Sequence, residues 1–137
     1  MKHKLLILFF ALAFVCAGQT VRNVTKTALI PVNTAESAIV SLGQCWPIAF
    51  IAPTGWTAAA ISVSGSINGT TFYNMQDRYG SRLIFAATAA TWTVVDSPAE
   101  TWSPRFAKIQ SVNASTGAAV NQVGVADSTR TVTIVCR

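Results

Sequence analysis

The sequence predicts an all-β fold, an antiparallel β-sandwich or jelly roll of about eight strands, preceded by an N-terminal hydrophobic segment. Three observations predict it. Short apolar or alternating runs recur along the chain, each bounded by Gly, Pro, Asn, Asp or Ser. No run keeps a helical period long enough to compete with them. The stretch Ala60 to Met75 joins two such runs through Asn68-Gly69, residues suited to the positive φ angles of a hairpin turn. Within it Ile61, Val63 and Gly65 alternate with Ser62, Ser64 and Ser66, the period expected of a strand with one buried and one wet face, and Phe72 resumes the apolar side.

Taken in order, the chain opens with Lys2, His3 and Lys4, followed by an unbroken apolar run from Leu5 to Val15 and the small residues Ala17 and Gly18. A basic start, an apolar segment and a small-residue exit make a secretory signal peptide over residues 1–17, cleaved after Ala17. The run is shorter than the roughly 20 residues that span a bilayer, so no stable membrane span is expected. Two alternatives are a lipid anchor on Cys16, which bulky Phe14 and Val15 disfavour, and a retained hydrophobic arm packed on a partner. Residues 18–36 read as an extended N-terminal segment and residues 37–137 as the sandwich domain. Its strands are expected at Ala38 to Leu42, Cys45 to Ala52, Ala60 to Gly65, Thr71 to Met75, Arg82 to Ala86, Thr91 to Val95, Arg105 to Val112 and Thr131 to Cys136. Two long loops, Asp96 to Pro104 and Asn113 to Arg130, separate the last of these, and long irregular loops in compact domains are usually either functional or mobile.

Composition bounds the function. With 51% hydrophobic and 11% charged residues the chain can build a sizeable core and is not disordered by composition. The net charge is +5, and loss of Lys2 and Lys4 with the signal leaves eight bases against five acids, or +3. Those bases are scattered singly, so no phosphate-tracking groove and no nucleic-acid partner is predicted. Cys45 and Cys136 are the two cysteines downstream of the signal, an even number in a chain read as exported, which makes them a disulfide candidate. The other reading is two buried, unpaired thiols.

Little in the residues points to catalysis. The single histidine, His3, lies in the signal, which removes the usual serine and cysteine triads and most zinc sites. Glu36, Asp77, Asp96, Glu100 and Asp127 are the only acids and have no flanking glycosidase signature. Calcium held by Asp77 and Asp96 is a weak candidate metal site, and no cofactor is predicted. Aromatics remain as binding candidates. Trp46 and Trp92, inside strands, read as core; Trp56 and Trp102, in loops beside Pro53 and Pro104, together with Tyr73, read as exposed platforms for sugar rings or protein contacts.

Several motifs together resemble a known group. They are Ala38-Ile-Val-x-Leu-Gly43, Ala52-Pro53, Gly55-Trp56-Thr57 and Ile61-x-Val63-x-Gly65-Ser66-x-Asn68-Gly69-Thr70-x-Phe72. Arg105-Phe-Ala-Lys-Ile109, Val120-Asn-Gln122 and Arg130-Thr-Val-Thr-Ile-Val135 complete the set. The pattern resembles small β-sandwich accessory proteins of tailed-bacteriophage virions and, more loosely, discoidin-like, galactose-binding-like jelly rolls. That resemblance implies a non-catalytic structural or assembly protein that self-associates or docks on a virion or capsid surface. The alternative expectation is a secreted module that binds carbohydrate or a cell surface. Location follows the same division, extracytoplasmic if the signal is cleaved and virion if it is a structural arm.

Overall fold

The computed structural model describes residues 23–95, 104–123 and 129–137. Those residues form an all-β sandwich of two antiparallel sheets, with no helix among them. The strands are β1 (Val24–Ile30), β2 (Val40–Ser41), β3 (Pro47–Ile51), β4 (Ala60–Ser66), β5 (Tyr73–Asn74), β6 (Ile84–Phe85), β7 (Trp92–Val94), β8 (Phe106–Val112) and β9 (Arg130–Cys136). One sheet has the order β1-β9-β3-β7. The other runs β2-β8-β4-β5, with β6 also pairing with β4. Because β8 occupies one edge of β4 along its whole length, short β5 and β6 follow one another along the opposite edge.

Alternation decides what each long strand buries. On β9, Val132, Ile134 and Cys136 point inward; on β1, Ala28 and Ile30 do, and β1 pairs with β9 through all seven of its residues. Phe50 on β3 meets Phe85 on β6 across the gap, with ring centroids 5.3 Å apart. Ile61 and Val63 of β4 and Ile109 of β8 complete the facing layer. Cys45 and Cys136 are bonded as a disulfide, with Cα atoms 5.2 Å apart and 91 residues between them in sequence. The bridge fastens the approach to β3 onto the end of β9, where Trp46 and Arg137 also exchange backbone hydrogen bonds of 3.4 and 3.0 Å.

Three expectations are revised. The sandwich does not start at residue 37: Val24–Ile30 is a full strand, and residues 18–36 therefore include a sheet edge. The serine face of β4 is not wet. All seven β4 residues are buried, because β4 is the central strand of its sheet and Arg82, Asn74 and the Gly117 region lie over Ser62 and Ser64. Finally, Asn68-Gly69 does not make a two-residue turn. Gly69 has φ +76°, but the connection from β4 to β5 extends from Ile67 to Phe72.

Candidate functional site

Side chains rather than backbone organise that connection. Ser66 Oγ accepts the Gly69 and Asn68 N–H groups at 2.9 and 3.3 Å and donates to Asn68 Oδ1 at 2.9 Å. Asn68 Oδ1 in turn accepts the Thr70 and Thr71 N–H groups at 2.9 and 3.0 Å. This is the local bonding for which Ser and Asn are favoured in turns. The widened loop leaves a groove of about 470 Å³ at this end of the second sheet, lined by Gly65, Ser66, Asn68, Thr71, Tyr73 and Met75 among others. Tyr73 stands opposite Gly65 in the β4–β5 register and is 73% exposed. A Cβ at Gly65 would lie 2.9 Å from Pro104 Cβ and 3.3 Å from Met75 Sδ, so only glycine leaves the groove floor open there.

A second surface lies on the opposite sheet. Since Phe50, Ile134 and Ala28 face the core, their strand neighbours face away from it. The register places Thr27, Thr133, Ile51 and Trp92 in one row across the four strands, and Thr25, Val135, Ala49 and Val94 in the next. Leu29 and Thr131 extend the face. None of these ten residues is charged. Trp92 and Val94, on edge strand β7, are 63% and 66% exposed and Leu29 is exposed as well, whereas Ala49 and Val135 in the second row are buried.

A third cluster is polar and fastens the loops to the second sheet. Arg82 donates to Ser62 Oγ at 2.9 Å, to the Gly117 carbonyl at 2.8 Å, and to Gln110 Oε1. Glu36 accepts from Lys108 Nζ at 3.0 Å and from Gln110 Nε2 at 2.9 Å. Partial burial works to raise the Glu36 pKa, but the Gln110 and Lys108 hydrogen bonds and the Lys108 charge outweigh it, so the carboxyl sits below its ordinary value. Nearby, Gln122 is fully buried: it donates to Ser111 Oγ at 2.6 Å and accepts the Thr57 N–H at 2.9 Å. It pins the loop after β8, a role that its position in a small-residue stretch did not advertise. The signal was the single long amide side chain amid Gly, Ala, Ser and Thr.

The predicted site residues separate. Tyr73 is exposed and lines the groove. Trp56 is only 6% exposed, against expectation. Its backbone N–H bonds to Pro53 O at 3.0 Å and its indole N–H to Ala59 O at 2.9 Å, folding the ring under its own loop, where it lines an alanine-rich cleft. Trp102 and Asp96 lie outside the described residues. The expectation that Trp46 and Trp92 are core is corrected too: they are 43% and 63% exposed. Asp77 Oδ1 accepts the Tyr79 and Ser81 N–H groups at 2.8 and 2.9 Å, a turn-holding role. Among the described residues no three His, Cys, Asp or Glu side chains are grouped to hold a metal ion. No helix among them is long and apolar enough to cross a membrane.

Compared with protein-family models, curated proteins and solved structures, the chain matches none.

Proposed function

We propose that this chain is a non-catalytic assembly protein whose outer four-stranded face seats a second copy of itself. One observation carries the reading: the ten residues on that face carry no charge, and among them Leu29, Trp92 and Val94 are large, apolar and exposed. The solvent face of a monomeric sandwich ordinarily alternates in charged or polar residues. Here four threonines stand among exposed Leu29, Trp92 and Val94 with no charged side chain between them, and an uncharged face with a tryptophan near its edge has the charge depletion and aromatic content of an interface core. Because β7 is an edge strand, a two-fold arrangement would bring the Trp92 rows of two copies together without obstruction from a further strand.

Location enters this proposal in the same way. The Cys45–Cys136 bridge supports passage of the chain into an oxidising compartment after removal of residues 1–17. The motif resemblance to virion accessory proteins supports a particle surface as the place of assembly. Light scattering on the purified chain across a dilution series is expected to give a mass above the single chain's 14.5 kDa that falls on dilution. A single-chain mass at every concentration up to about 1 mM would discard self-association as the function of the face.

A further inference from the structure

We infer that Asn68-Gly69 is a self-modifying site, at which Ser66 drives closure of the asparagine side chain onto the following backbone nitrogen and water then opens the ring to aspartate or isoaspartate. The turn belongs to the second sheet, away from the assembly face, and the inference does not depend on that reading.

Three features of the turn prepare the reacting atoms. The first is a wired path for the proton. Thr70 and Thr71 both give N–H groups to the Asn68 side chain, at 2.9 and 3.0 Å, so the atom that accepts them is Oδ1 and not Nδ2. Ser66, whose oxygen lies 2.9 Å from the same atom, must donate its proton there, and its oxygen accepts the Gly69 N–H at 2.9 Å. One hydroxyl thus joins the nucleophilic nitrogen to the oxygen that gains charge. Ser66 is buried, which keeps water from replacing either partner. The second feature is stabilisation of that charge: Oδ1 faces three donors at the distances of an oxyanion hole. The third is freedom of everything else. Asn68 Nδ2 has no protein acceptor among the described residues, Asn68 is exposed to water, and both residues lie between β4 and β5, outside the ladder. Gly69 has no side chain to shield its nitrogen.

The chemistry balances with water as the one outside reactant. Gly69 N bonds to Asn68 Cγ while the carbonyl π pair moves onto Oδ1; the Gly69 proton passes to Ser66 Oγ as the Ser66 proton passes to Oδ1. The carbon then re-forms its carbonyl and breaks its bond to Nδ2, which leaves as ammonia with the hydroxyl proton carried to it by solvent. Water adds to either carbonyl of the succinimide and breaks that C–N bond, giving aspartate or isoaspartate. Ser66 ends as it began and the turn gains one negative charge. A bond to Nδ2 would hold the leaving group in place; the bonds here go to Oδ1 and to the proton that must depart, and they strengthen as the ring closes.

Peptide mapping of the full chain during incubation near neutral pH tests this, with the same chain held unfolded in guanidinium chloride as the reference. Folded wild type is expected to convert Asn68 at least about tenfold faster than the unfolded chain, a modest share of what one positioned proton-transfer group can supply. Ser66→Ala should return the folded rate to the unfolded one, Ser66→Thr should keep most of the gain, and neither should alter the unfolded rate. Ser66→Ala should also restore the steep rise with pH shown by the unfolded chain, which the relay flattens between about pH 6 and 8 by taking the place of hydroxide. The comparison of folded with unfolded wild type stands whether or not the alanine variant folds. Slower conversion in the folded than in the unfolded wild type would overturn the inference, as would a folded Ser66→Ala protein that reacts as fast as wild type.

Discussion

Ser66 shows how a single hydroxyl can set the shape of a loop. Its oxygen accepts two turn N–H groups and its proton reaches Asn68, all at a buried position that water does not reach. Ser66→Ala is therefore expected to lower unfolding free energy by about 1–2 kcal/mol, measured by urea titration, since the abandoned donors lose their acceptor. A change below a few tenths of a kcal/mol would mean the turn holds itself. Glu36 makes a pH-dependent contribution of the opposite kind, at the surface. Its folded pKa is depressed by Gln110 and Lys108 against burial, so the stabilisation is complete above the ordinary carboxylate range and is lost as pH falls through the lower, folded value. With 41% of the side chain exposed, solvent screening limits the pair to about 0.5–1 kcal/mol at neutral pH. Wild type should exceed Glu36→Gln by that amount at pH 7, and the gap should close in strong acid. A gap that stayed constant with pH would rule out the ion pair as its source.

Elements respond to constraints that act over longer stretches of chain. The Cys45–Cys136 bridge closes a 91-residue separation, and in the chain-entropy account its removal costs about 4–5 kcal/mol. Paired Cys45→Ser and Cys136→Ser substitution should lower the urea midpoint accordingly, while reducing agent should leave that variant unaffected. Equal midpoints for wild type and variant would show that the bridge adds nothing. Strands β3, β4 and β9 were legible because each has two or more large apolar residues in phase, and β8 because Ala107 and Ile109 alternate with Lys108 and Gln110. Strand β1 was not, since VTKTALI places threonines on its outer face and Lys26 on the core side of its open end. Such an inward lysine protects an edge strand from unwanted pairing, yet in sequence it reads as a polar lead-in. The tryptophans show a different limit. Periodicity says that Trp92 and Val94 share a face, but only the pairing of Thr93 with Phe50 decides that the face is outward. Trp56 looked exposed because Pro53 and Gly55 announce a loop, whereas the loop turns its ring inward onto Ala59 O. Tyr73 was legible as a candidate. The groove around it was not, because it depends on a turn wider than Asn-Gly alone suggests.

At the scale of the whole molecule, the two sheets differ in what they show to solvent. One carries a polar network of Arg82, Glu36, Lys108 and Gln110 that binds its own loops, with the Tyr73 groove at one end. The other carries ten uncharged residues on the outer side of its four described strands and is the surface through which we propose that copies meet. Placing like charges at the centre of such an interface should abolish it, because each copy would bring the same lysines to the contact. Trp92 and Val94 are exposed on a three-residue edge strand, so their replacement leaves the core intact. Sedimentation equilibrium of wild type beside the Trp92→Lys, Val94→Lys double variant is the most direct test. The account predicts an assembled wild type and a monomeric variant with an unchanged thermal midpoint; the same mass for both proteins would contradict it.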